Sequence, residues 1–147
     1  MISRKREQNP QRRCSMTNEN RPARMLLGAW ANVPARTKEL EQERAWALAQ
    51  RDRAEDEEGQ QAWTELAASV ERELAQCARL RQAVDEVLGA MEPAYRDVVR
   101  LRYEKGMHYA AIARATHYSV DHVRHIKSNA DRAVARALLT DAPKSDS

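Results

Sequence analysis

The chain has 147 residues, of which 42% are hydrophobic and 32% charged, with 4 Gly, no Phe and a net charge of +3. That length holds one ordinary domain, or a small domain plus an extended helical element, and the wealth of Ala, Glu, Arg, Leu and Gln favours helices over sheets. No run of about 18 apolar residues occurs, which excludes a membrane-spanning helix, and the basic N-terminus lacks the apolar stretch of a secretory signal.

The net charge hides a segregation. Residues 1–24 carry 7 Lys/Arg against 2 Asp/Glu, residues 35–90 carry 8 against 13, and residues 91–140 carry 9 against 5. The middle is acidic and both flanks are basic, and positive charge gathered on particular segments is the first footprint of a polyanion-binding surface. A solvated charged face is the plainer reading of the N-terminal arm taken alone.

Residues 1–21 are polar and unpatterned, and are expected to form a disordered basic arm. A short helix is predicted from Pro22 to Ala31, and another from Ala35 to Glu58 after Pro34, since proline suits a first helical position. Gly59 follows the acidic run Glu55-Asp-Glu-Glu58 and is read as a turn or helix end. The next helix, Gln61 to Gly89, carries the clearest period: Trp63, Ala67, Val70, Leu74, Cys77, Val84, Leu88 and Met91 recur in steps of four and three. Arg81 breaks the seam, with Leu80 beside it. A 3.5-residue repeat places one apolar seam on a long helix, which must pack on another. The preceding helix offers a weaker stripe of Trp30, Val33, Thr37, Leu40, Ala47 and Ala54, interrupted by Arg44 and Arg51. Residues 22–90 are therefore expected to form a long, coiled-coil-like helical hairpin. The weaker stripe leaves the seam partly uncovered and points to a homodimer or another partner.

Gly89 and Pro93 mark the expected boundary to a basic domain over residues 91–140, and residues 141–147 read as a frayed tail. A helix from Ala94 to Glu104 ends at Lys105-Gly106, with Gly106 suited to a left-handed cap. A second short helix, Tyr109 to Ala115, turns Ile112, Ala113 and Tyr109 inward. Thr116-His117-Tyr118 makes a turn, and Ser119 caps a third helix in which Val123, Ile126 and Ala130 face the core. The pattern is a helix-turn-helix, a device that lays one helix into the DNA major groove. The opposite face of the third helix then holds Asp121, His122, Arg124, His125, Lys127 and Ser128. Arg124 and Lys127 suit guanine or phosphate, and the two histidines suit either. Asp121 can accept from cytosine or simply favour the positive end of the helix dipole. Arg114, Lys127, Arg132 and the basic N-terminal arm are the candidate phosphate contacts, and Ser119 completes the candidate DNA-binding set.

Pro93…Val98-Val-Arg-Leu-Arg-Tyr…Gly106-Met-His-Tyr-Ala-Ala-Ile-Ala…Ser119-Val-Asp-His-Val-Arg resembles region 4 of sigma-70-type factors, the helical module that reads the −35 promoter element. The layout, a helical region before such a head, is similar to that of small phage regulators of the ArpU and RinA type. The family pattern is departed from in two places. Ala110 and Ala111 stand where acidic residues usually follow the tyrosine, which removes the expected partner of Arg102. His117 stands where glycine is common in the turn, and a left-handed conformation suits histidine less well. The resemblance implies an all-α, sequence-specific double-stranded DNA-binding transcriptional regulator, phage or prophage encoded, acting in the bacterial cytoplasm, with RNA polymerase as a possible partner.

Alternatives from other classes are a small terminase-like packaging adaptor, which also joins a helix-turn-helix to coiled helices, and a protein-binding mimic of region 4 acting on polymerase. No Ser/His/Asp arrangement, phosphate-cradling Gly-rich loop or carboxylate pair suggests an enzyme, and no cofactor is implied. His122 and His125 lack the further ligands a zinc site needs. Cys14 and Cys77 are too far apart in sequence for metal-ligand spacing, and Cys77 reads as a core residue.

Overall fold

The structure is a computed structural model that describes the backbone of residues 2–139 and the side chains of residues 20–139. Among the described residues it is all-helical: α1 (Ile2–Arg53), α2 (Glu57–Gly89), α3 (Pro93–Val99) running into a π-helical turn (Arg100–Glu104), α4 (Tyr109–Thr116) and α5 (Val120–Leu138). The backbone of residues 2–21, expected as a disordered basic arm, is instead the start of α1, while the side chains of residues 1–19 and the expected tail lie outside the described set.

Helix α1 is continuous where the sequence predicts a break before Ala35. An internal proline removes one backbone donor and crowds the carbonyl four residues back, at a cost of about 3 kcal/mol. Pro34 sits on the exposed side of α1, while Trp30, Val33, Leu40 and Ala47 on the other side are buried. Burial of the Val33 and Leu40 side chains alone contributes roughly 1.5–3 kcal/mol each, so packing outweighs the local penalty. The turn between α1 and α2 also falls earlier than Gly59. Asp56 precedes α2, and its Oδ1 accepts from the Gly59 N–H at 2.8 Å, the bond by which an aspartate caps a helix start. Gly59 is thus inside the first turn of α2.

The chain divides into two compact units, Trp30–Ala83 and a second that joins the residues up to Ala29 with those from Val84 onward. The division does not fall in the Gly89–Pro93 connection, where the sequence places it. Ala23 and Leu27 of α1, and Val84 and Leu88 of α2, are fully buried and belong with the C-terminal helices.

In the first unit α1 and α2 form an antiparallel hairpin whose register is fixed by three nested pairs. Arg81 donates to the Trp30 carbonyl at 2.9 Å and lies 4.6 Å from the Trp30 ring centroid. Arg36 donates to Glu73 at 2.7 Å, and Trp46 meets Trp63 edge-on at 5.0 Å. Arg81, which interrupts the apolar period, therefore fills its seam position with a cation over an aromatic face, a favourable pairing for a guanidinium. Ala67 and Val70 of the seam are buried, while Trp63, Leu74 and Cys77 are only half-buried and Trp46 is 54% exposed.

In the second unit Val98, Ile112, Ala113, Val123 and Ile126 make one core, with Tyr95, Leu101, Met107, Tyr109, Tyr118 and Val120 packed around it. These include every inward residue that helical spacing predicts for the two short helices and the start of α5, except Ala130, which is buried as well.

Candidate nucleic-acid interface

Helix α5 owes its placement to the two turns before it. Gly106 has φ 65°, the left-handed cap expected of it. The helix preceding it does not simply continue to Glu104 as predicted, but widens into a π-helical turn. Lys105 N–H donates to the Arg100 carbonyl and Met107 N–H to that of Leu101, both at 3.1 Å. Single π-helical turns of this kind are frequent at functional sites. Here Arg102 donates to the Met107 carbonyl at 3.0 Å, and Tyr103 donates its hydroxyl to Asp131 at 3.1 Å. His117 has φ 65° and ψ 22°, so histidine adopts the left-handed geometry that glycine would take more readily. Ser119 then caps α5, accepting from the His122 N–H at 3.0 Å.

That geometry sets the exposed face. Asp121, His122, Arg124 and His125 all point to solvent over the first turns of α5, and Arg114 of α4 and Arg132 farther along α5 are exposed too. Arg124 lies 3.8 Å from Asp121 and 5.5 Å from the Tyr109 ring centroid. His122 meets Tyr118 edge-on at 4.9 Å. His125 lies 3.1 Å from the Asn129 amide, and Arg132 donates to the Asn129 oxygen at 3.4 Å. Asn129, absent from the sequence-derived set, thus links two members of that set along one side of α5. Ser128 is half-buried.

Lys127 departs from the expected face. Its ammonium lies 2.7 Å from Asp131 Oδ2, with the lysine side chain only 11% exposed and the aspartate fully buried. Asp131 is the one charged residue in the core of the described chain. Burial pushes its carboxyl above the ordinary aspartate range, while Lys127, Tyr103 and the charge of Arg24 pull it back. Burial also raises the Tyr103 phenol, and the Asp131 charge acts in the same direction, so the hydroxyl remains a donor. The i,i+4 spacing of Lys127 and Asp131 was the available sequence signal, although surface ion pairs share it.

Among the described residues no group of three or more His, Cys, Asp or Glu gathers as a metal site. Among the same residues no helix is long and apolar enough to cross a membrane.

Three helices around one small core, with a capped and solvent-facing last helix, define a helix-turn-helix head. Residues 81–138 match the family model described as sigma-70, region 4, so the C-terminal part is a sigma-70 region 4-like helix-turn-helix. No curated protein and no solved structure matches the chain. The match covers less than half of the chain and leaves most of the hairpin outside it.

Proposed function

We propose that this protein is a sequence-specific double-stranded DNA-binding transcriptional regulator that lays the start of α5 in the major groove. The observation that carries this reading is the exposed row Asp121, His122, Arg124 and His125 on the first turns of a capped helix, in a domain that matches sigma-70 region 4. Arg124 is the candidate for bidentate contact with guanine, and His122 and His125 supply further donors to base edges. Arg114, Arg132 and Ser128 are assigned to phosphates. Lys127 is assigned instead to the ion pair that holds α5 together internally, and Ser119 to orienting the helix start, where free N–H groups also favour a phosphate. The layout, a helical region before a region 4-like head similar to that of small phage regulators, is the ground for reading it as phage or prophage encoded and at work in the bacterial cytoplasm. The half-covered seam and the exposed Trp46 support a role for the hairpin in homodimerisation or in holding RNA polymerase.

The test is anisotropy of a labelled duplex over a salt series. Affinity should fall linearly in log salt. Arg114→Ala and Arg132→Ala should each make the slope shallower by about 0.9, the effect of one phosphate left without its cation. Absence of salt-sensitive binding would replace this reading with a protein-binding mimic of region 4. A ring of many subunits by light scattering would favour a packaging adaptor.

A further inference from the structure

Tyr109 opens α4 and packs against the core of the helix-turn-helix head, so its ring has a fixed place. Two guanidinium groups approach that ring: Arg102 at 5.0 Å and Arg124 at 5.5 Å from its centroid. Arg102 is itself anchored by its hydrogen bond to the Met107 carbonyl. Arg124 has no such anchor. Its side chain is 61% exposed, and its other neighbour, Asp121, is 98% exposed and 3.8 Å away. A long arginine side chain so placed would lose considerable rotamer freedom on meeting a base edge. An aromatic face that attracts the cation reduces that loss by favouring part of the bound geometry beforehand.

We propose that Tyr109 is a positioning residue for base recognition: its ring holds the Arg124 guanidinium over the start of α5, so that α4 as well as α5 sets the base preference at the position Arg124 reads. The inference rests on the reading of α5 as the DNA-contacting helix. The anchored Arg102 shares the ring and helps to fix its place, which gives that residue a partner where Ala110 and Ala111 offer none.

The experiment compares affinities for a duplex enriched by the wild-type protein and for its single-base-pair variants, using Arg124→Ala, Tyr109→Phe and Tyr109→Leu in the full chain. Tyr109→Phe keeps the aromatic face and should keep the wild-type profile. Tyr109→Leu should weaken discrimination about two- to fivefold, the weight of one exposed cation–aromatic pair. That loss should fall at the same base pair where Arg124→Ala abolishes it, with the salt slope unchanged. A purely structural tyrosine would instead lower the active fraction and leave every ratio between duplexes intact, and that result overturns the proposal. So does a Tyr109→Leu protein whose discrimination is wild-type at that base pair. If the wild-type protein enriches no duplex, the reading of α5 falls and this inference with it, an outcome distinct from failure at Tyr109 alone.

Discussion

Replacing Lys127 by methionine removes the cation that compensates a carboxylate with no solvent exposure. Removing one partner of a buried pair costs about 3–5 kcal/mol, because the other charge is left unpaired in a poorly solvated place. At 11% exposure the Lys127 side chain is close to that limit, and the Tyr103 hydroxyl bond to Asp131 offsets part of the loss, so about 3 kcal/mol is expected near neutral pH. Asp131→Leu should cost a similar amount by stranding the ammonium and the hydroxyl. The double variant Lys127→Met/Asp131→Leu should recover at least about 2 kcal/mol relative to the sum, since a buried ion pair replaced by apolar groups of similar size is often neutral. The pH dependence has a definite sign. Asp131 is held above its ordinary value of 3.8 in the folded chain, so the fold binds this proton more tightly than the unfolded chain does. That contribution is fully present below the ordinary value and is lost as pH rises through the raised folded value. Lys127 is the largest influence opposing the rise, so its removal extends the window upward. Lys127→Met should therefore cost clearly less near about pH 4 than near pH 7. Urea unfolding of the four proteins at the two pH values measures all of this. Single variants that are near neutral, additive and indifferent to pH would refute the assignment of Lys127 to the core.

Other substitutions test the turns and the hairpin. His117→Gly should stabilise the chain by about 0.5–1 kcal/mol, since glycine occupies a φ of 65° without a Cβ penalty, and His117→Val should destabilise it; thermal or urea melting reports both. Ser119→Ala should cost about 1 kcal/mol by freeing the His122 N–H from its cap. Leu40→Ala should cost about 2–5 kcal/mol in the same assay, because that side chain is fully buried in the hairpin.

Legibility in the sequence followed how local each cause was. The seam from Trp63 to Leu88 and the inward set Ile112, Ala113, Val123 and Ile126 were readable because a helix converts spacing directly into a face. The caps at Gly106 and Ser119 were equally local, as each depends on the chemistry of one residue. Polarity alone puts Lys127 on the solvent face, whereas its partners are Asp131 one turn on and Tyr103 far back in the chain. The widened turn at Arg100–Glu104 left no local trace, since the residues in it would also suit an ordinary helix. Pro34 misled in the other direction: a strong local signal was outweighed by the burial of Trp30, Val33 and Leu40 around it. The exposure of Asp121, His122, Arg124 and His125 was readable by subtraction, but the contacts of Asn129 with His125 and Arg132, and of the inward-facing Tyr109 with Arg124, were not, because they join side chains across the face.

The central claim is that the exposed start of α5 reads duplex sequence. Selection of bound duplexes from a random pool, carried out in parallel with the wild-type protein and Arg124→Ala, tests it most directly. The account predicts one enriched site for the wild-type protein and loss of preference at a defined base pair in the variant, a discrimination of about 1–3 kcal/mol for a good bidentate contact. No enrichment by the wild-type protein, or an identical site for both proteins, would contradict it.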